Sequence, residues 1–366
     1  MQEKKPSINF LQETHSTSSD ISLWTNEWDP KALWSHGSSK SRGTAILFNK
    51  NLNISILKSV CDPNGRYVIA DVNISDKVFT LINIYAPNDD CPQFFTQIDN
   101  LINQFHGDSI IFGGDFNCVL NLSLDKKGGR THTNFKARSE MFEIMKKRCL
   151  VDIWRELNPN SKRFTWRSNS DPPIMCRLDF FLISKNLKSS IDNSNILSGY
   201  RTDHNLVSIH LNDNYDKPGR GFWKFNVSLL NDLDYINMVK KNIGLILEEN
   251  KDANPQILWE TIKCVIRGDT IKYSVKKARE RKQLEIELEK EIDRLENLYC
   301  QSLDHQDLAT LNVKKRELES LYDYKAKGAM IRSKARWIED GEKNSSYFFN
   351  LEKHHFSKKK CCFNPK

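Results

Sequence analysis

The sequence predicts a layered α/β domain followed by a mostly helical extension, and three observations carry that prediction. Short runs rich in Ile, Val, Phe and Thr, divided by turn residues, fill the chain as far as about Leu211. Two stretches between them, 94–105 and 135–149, hold apolar residues at helical spacing. Beyond a polar segment containing Gly and Pro, the composition shifts to dense Glu, Lys and Arg, with leucines every third or fourth residue. Strands and amphipathic helices in loose alternation argue for layers packed on a shared core.

The runs that read as strands are 8–11, 43–48, 54–57, 67–74, 78–85, 109–112, 178–183 and 206–210. In the helix over 135–149, Phe135, Met141, Phe142 and Met145 are expected to face a sheet, with Lys136, Arg138, Lys146 and Lys147 in water. The first domain is placed at 1–212, a linker at 213–227 and the helical extension at 228–366. Within the extension Leu284, Leu288, Ile292, Leu295 and Tyr299 form one stripe. Leu308, Leu311, Leu318 and Leu321 form a second after a turn near 302–306, which predicts an antiparallel helical hairpin. Its mixed charges mark solvated faces rather than a dedicated binding surface.

The composition narrows the function classes. At 366 residues, 39% hydrophobic and 28% charged, the chain has room for one large globular domain and an appendage. No apolar run approaches the roughly 20 residues that cross a bilayer, so no membrane partner is expected. Met-Gln-Glu-Lys-Lys-Pro lacks the apolar core of a secretory signal. Nine cysteines without a Cys-x-x-Cys pair suit reduced thiols in the nucleus or cytoplasm and argue against a zinc site. A net charge of +8 suits a polyanionic partner without identifying it.

The chemistry centres on 110–117, where an apolar run reads as a buried strand that Gly113 and Gly114 end in a tight turn. Asp115 and Asn117 follow two positions apart, so on an extended backbone they point to one side. A carboxylate takes a proton from water or holds a hard cation, and an amide donates to an oxyanion without adding charge. That pairing suits hydrolysis of a phosphate ester, although Gly-Asp turns alone are common. Further segments supply Glu13 in Leu11-Gln12-Glu13-Thr14-His15 and Tyr85 in Asn83-Ile84-Tyr85-Ala86-Pro87-Asn88. After Phe164-Thr165-Trp166-Arg167-Ser168 come Asp179 in Arg177-Leu178-Asp179-Phe180-Phe181, and Asp203 with His204 in Thr202-Asp203-His204-Asn205.

Taken together and in this order, these segments resemble the endonuclease/exonuclease/phosphatase superfamily. Within it the likeness is to the apurinic-like endonuclease domain of non-LTR (LINE-type) retrotransposon polyproteins. The resemblance implies a four-layer sandwich of two mixed β-sheets flanked by helices. It also implies nicking of DNA by Mg2+- or Mn2+-dependent hydrolysis of a phosphodiester, with no small-molecule cofactor. On that footing Glu13 and Asp203 are metal-side carboxylates, with Asp115 and Asn117 as further metal neighbours. Asp115 orients and deprotonates the attacking water, Asn117 and Tyr85 donate to the phosphoryl group, and Asp179 orients a protonated His204. A strand-end Tyr such as Tyr85 is also often core with a wet tip. Lys126, Lys127, Arg130, Thr165 and Arg167 are candidate DNA contacts, with a solvated basic loop as the even alternative.

The stretch from Ser333 to Phe349 resembles the segment leading into a reverse transcriptase, which makes the element's RNA a second candidate partner through the helical extension. One departure stands out. The family's domain opens with a strand bearing an asparagine, and no such strand precedes Ile8, so the chain is expected to be a clipped copy and a poor enzyme. The rival readings are an abasic-site repair endonuclease, a phosphoesterase acting on inositol lipids or sphingomyelin, and an inactive nucleic-acid-binding remnant.

Overall fold

The computed structural model describes residues 6–20, 32–49, 52–129, 134–168, 170, 173–199, 202–212, 223, 225–302 and 304–341. Its strands in chain order begin with β1 Ile8–Leu11, β2 Leu33–Ser35, β3 Thr44–Phe48, β4 Ile54–Cys61, β5 Tyr67–Ile74, β6 Lys77–Tyr85 and β7 Ser109–Asp115. They continue as β8 Lys126–Lys127, β9 Leu150–Asp152, β10 Trp166–Arg167, β11 Met175–Cys176, β12 Asp179–Ser184, β13 Ile191–Leu197 and β14 Leu206–Leu211. Six of them form one mixed sheet in the order β4-β5-β6-β7-β12-β9, with β6 and β7 parallel and the other neighbours antiparallel. A parallel pair needs a crossover, and helix α1 (Pro92–Ile102) provides it.

Alternation along the strands divides the core in two. On one face Ile69, Ile82, Ile84, Phe112 and Phe180 meet Phe95 and Ile98 of α1 and Met141 and Ile144 of α2 (Phe135–Lys147). Their sequence neighbours Val68, Ala70, Leu81 and Ile111 point to the other face, against Ile46 and Phe48 of β3 and Ile191 of β13. The α2 face differs from the sequence expectation. Ala137, Met141 and Ile144 are buried at i, i+4 and i+7, whereas Phe135 and Phe142 are 56% and 47% exposed. Phe142 follows Met141 by one residue and is therefore rotated about 100° around the helix, off the buried stripe. The Arg138 guanidinium covers the Phe135 ring at 5.4 Å.

The second sheet layer comes in two antiparallel pieces, β1-β3-β2 and β13-β14. Among the described strands, β1 pairs with β3 alone and β14 with β13 alone. Each therefore has one edge whose ladder groups no described strand meets. A small sheet, β10-β11-β8, stands apart from these layers.

The chain divides into two compact units, Met1–Arg220 with Arg294–Leu308, and Gly221–Asp293 with Ala309–Lys366. Arg294–Leu308 groups with the first unit, whereas the sequence places it within the helical extension at 228–366. There, Arg163 Nη1 pairs with Glu296 at 3.0 Å and Arg167 lies over the Tyr299 ring at 5.8 Å. The first unit also holds the short helix α3 (Ile153–Leu157), and the second unit is helical: α4 Leu233–Glu249 and most of α5 (Pro255–Ser302) and α6 (His305–Gly341). Asp232 caps α4 by accepting from the backbone N–H groups of Asp234 and Tyr235. Tyr322 donates to Glu289 at 3.0 Å and Lys325 to Glu285 at 3.2 Å, which is the antiparallel register of the expected hairpin. Leu288, Ile292, Leu311 and Leu318 are buried along it, while Leu284 is largely exposed. Residues 213–222 of the expected linker, and the expected segment beyond Gly341, lie outside the described residues.

Candidate active site

Strand register builds the centre of the site. Tyr85 on β6 lies opposite Asp115 on β7, and Asp115 lies opposite Asp179 on β12. Three polar side chains thus share one row across three neighbouring strands, which are about 4.8 Å apart. The two glycines before Asp115 sit inside β7 instead of ending it. A Cβ on Gly113 would come within 2.3 Å of the Phe181 ring, and Gly114 has φ of +135° with the Ile84 carbonyl 2.1 Å from where its Cβ would stand. They are small so that neighbours can approach, and the strand runs on to its carboxylate.

Beyond Asp115 the backbone turns. Asn117 has φ of +47°, and its N–H donates to Asp115 Oδ1 at 2.9 Å, so the two side chains do not share an extended face. The Asn117 amide donates to the Ala86 carbonyl at 2.9 Å and to Asn88 Oδ1 at 3.1 Å. Donation to a phosphoryl oxygen would require it to release one of them.

His204 completes the cluster. Its Nδ1 is 2.8 Å from Asp179 Oδ2, and one ligand atom each of Asp115, Asp179 and His204 lie within 4.8 Å of one another. Trp166 steadies the His204 loop, bridging to His204 through the backbone and donating its indole N–H to Asp203 Oδ2 at 3.1 Å. Asp203 therefore turns toward Trp166, although its charge still reaches His204.

The charges follow from burial. Asp115 is 5% exposed, and burial, then the neighbouring Asp179 carboxylate, push its pKa upward against the opposing pull of His204. Burial alone would lower the pKa of His204. The hydrogen bond and charge of Asp179, helped by Asp115 and Asp203, outweigh that and carry it to about 9. Tyr85 is raised by burial and then by its hydrogen bond to Glu13. Glu13 thus joins the site through the Tyr85 hydroxyl, on a turn where Glu13 and His15 both have positive φ (51° and 49°).

Two residues that sequence reasoning missed hold these groups in place. Asn83, fully buried on β6, donates to the Leu11 and Ala45 carbonyls at 2.9 Å each and accepts from Gln12 at 2.6 Å. It ties the main sheet to the strand end before Glu13. Arg66 donates to the carbonyls of Tyr85 and Ala86 and lies over the Tyr85 ring at 5.0 Å. Neither side chain carries a local pattern that marks its role.

Of the expected DNA contacts, Lys127 and Arg167 lie in one row of the small sheet, both opposite Met175, and Lys126 is next to Lys127. Arg130 lies outside the described residues. Thr165 is only 1% exposed and its hydroxyl is bonded to backbone, so burial takes it out of reach of DNA.

A profile of the Endonuclease/Exonuclease/phosphatase family matches residues 2–204, which takes in every residue of this cluster. The chain belongs to that family. It is 28% identical over 353 residues to the Transposon TX1 uncharacterized 149 kDa protein of Xenopus laevis, a match that covers 95% of this chain and 27% of that protein. It thus spans about a quarter of that relative's length. Similar solved structures include the AP endonuclease LMAP from Leishmania major (18% identity, TM-score 0.49, 57% of this chain and 79% of that one). The endonuclease domain of TRAS1, a telomere-specific non-LTR retrotransposon, matches at 15% identity and TM-score 0.44, over 58% of this chain and 90% of that one. A third is the 3′ phosphatase NExo from Neisseria bound to product DNA hairpin (17% identity, TM-score 0.47, 58% and 91%).

Proposed function

We propose that this family member is a metal-dependent endonuclease of a non-LTR element that nicks DNA by hydrolysing a phosphodiester. The observation that carries the reading is the cluster of Asp115, Asp179 and His204 at adjoining strand and loop ends. Two carboxylates gathered where one is buried, with a single imidazole to offset them, fit a hard divalent cation such as Mg2+ or Mn2+. Asp115 would hold it, the resemblance adds Glu13, Asn117 and Asp203 as further oxygen donors from outside the three-residue cluster, and the ion when bound would polarise the scissile phosphate. Asp115, raised in pKa toward the working range, orients the water and accepts its proton. Protonated His204, aligned by Asp179, offsets the charge that grows on the phosphoryl oxygens.

Lys126, Lys127 and Arg167 supply phosphate contacts beside the site, and the element's RNA is a second partner for the helical unit. Composition suits the nucleus or cytoplasm. Supercoiled plasmid incubated with the chain and Mg2+ should acquire single nicks, and a chelator should abolish them. Binding of an undamaged duplex should weaken with salt at a log–log slope of about −2 to −3, as three phosphate contacts require. A flat response would remove the basic row from the interface, and nicking that survives chelation would overturn the metal dependence.

A further inference from the structure

We propose that Thr165 is a positioning residue, whose buried hydroxyl and carbonyl lock the strand start bearing Asp179 to the loop bearing His204. The proposal rests on the nuclease reading for its consequence in rate, but not for its geometry.

Thr165 Oγ1 accepts two successive backbone N–H groups, from Leu178 at 2.9 Å and Asp179 at 3.1 Å. These residues lie where the chain leaves the small sheet at Cys176 and enters the main sheet at Asp179. A side-chain oxygen stands there in place of a ladder carbonyl. The Thr165 N–H donates to the Cys176 carbonyl at 2.9 Å, and its own carbonyl accepts the Asn205 N–H at 2.6 Å. Asn205 is fixed a second time by its amide, which donates to the Phe164 carbonyl at 3.0 Å. One residue therefore contacts the end of β11, the start of β12 and the residue after His204.

The bond between Asp179 and His204 spans these same two segments. Its 2.8 Å length depends on both backbones holding their places, and the contacts just described join those backbones directly. At 1% exposure, Thr165 exerts this effect without touching DNA.

The test compares Thr165→Val, which keeps the shape and loses the acceptor, with Thr165→Ser, which keeps the acceptor. In the valine variant the Leu178 and Asp179 amides should exchange with solvent about 10-fold faster or more, for a lost bond worth about 1.4 kcal/mol. Amides in the centre of β5 and β6 should be unchanged. The imidazole proton shared by His204 and Asp179 should shift or broaden in the proton spectrum. In nicking assays kcat should fall about 10- to 100-fold with KM for DNA unchanged, and the serine variant should recover both kcat and amide protection.

A rise in KM at constant kcat would make Thr165 a DNA contact and overturn the proposal. A serine variant as impaired as the valine one, or unchanged exchange at Leu178 and Asp179, would overturn it as well. If the unmodified chain does not nick, the nuclease reading fails, and amide exchange with the imidazole signal still decides the role of Thr165. If the valine variant does not fold, the unmodified chain decides, because Leu178 and Asp179 amides exchanging as fast as exposed loop amides would refute the bonds.

Discussion

Replacing Asp115 or His204 with alanine is expected to lower the rate of DNA nicking about 100- to 1,000-fold each, with the fold intact. The effect on stability should be small for Asp115 because burial disfavours its carboxyl and raises its pKa, so removing it also removes a polar group that is costly to bury. His204 is charged at neutral pH and loses its proton only as pH rises through about 9. The stabilisation it draws from Asp179 is complete below its unfolded pKa near 6.5 and is lost as pH climbs through about 9. Nicking should fall over the same alkaline range. Asp179→Asn should move that fall down toward about 6.5, the ordinary histidine value. Near-normal rates in both alanine variants, measured on supercoiled plasmid at equal folded concentration, would refute the assignment.

The largest effect on stability is expected at Arg177, two residues before Asp179 and 1% exposed. Its Nε and Nη2 donate to the two oxygens of Asp125 at 2.8 Å each, and Nη2 donates also to Asp152 at 2.6 Å. Arg155 pairs with the same Asp125 through Oδ1, the oxygen that Arg177 Nε also reaches. The guanidinium packs 5.3 Å from the ring centres of both Trp154 and Phe180. Arg177→Met keeps most of the volume and strands two carboxylates with too little positive charge. Breaking a buried pair in this way costs about 3–5 kcal/mol. For a unit of this size that is a fall of about 10 °C in melting temperature. Lys188→Ala, at the exposed pair with Glu156, should cost less than about 1 kcal/mol in the same experiment. An Arg177→Met loss no larger than the Lys188→Ala loss would show that the network is dispensable.

The sequence read well where one physical signal dominated. β1 and β5 were legible to the residue, and β6 to within one, because apolar residues supply a strand signal along each run. The hairpin of α5 and α6 was legible because its stripes repeat over many turns. Strands of two or three residues, such as β8, β10 and β11, hold too few positions to show a period. β13, Ile-Asp-Asn-Ser-Asn-Ile-Leu, reads as loop because its polar run hides two buried isoleucines. Gly113 and Gly114 read as a turn because the groups that need their space, the Phe181 ring at Gly113 and the Ile84 backbone at Gly114, are far along the chain.

At the site, individual residues are legible but most of their partners are not. The exception is Asp179 with His204, a pair the resemblance implies, whose Oδ2 and Nδ1 lie 2.8 Å apart. Which strands adjoin is a property of topology, so the row of Tyr85, Asp115 and Asp179 cannot be seen in any one segment. Thr165 carried a polar, exposed-looking signature, and only its burial reveals that its oxygen serves the backbone.

The most direct test of the account is nicking in water enriched in 18O, followed by mass analysis of the new DNA ends. Attack of water on phosphorus breaks one P–O bond and forms another, so each nick should place one labelled oxygen on the terminal phosphate and none on the freed hydroxyl. The label should disappear with a chelator and in Asp115→Ala. Nicks whose phosphate carries no label would mean that the bond is not broken by water at phosphorus, and the role given to Asp115 would be wrong.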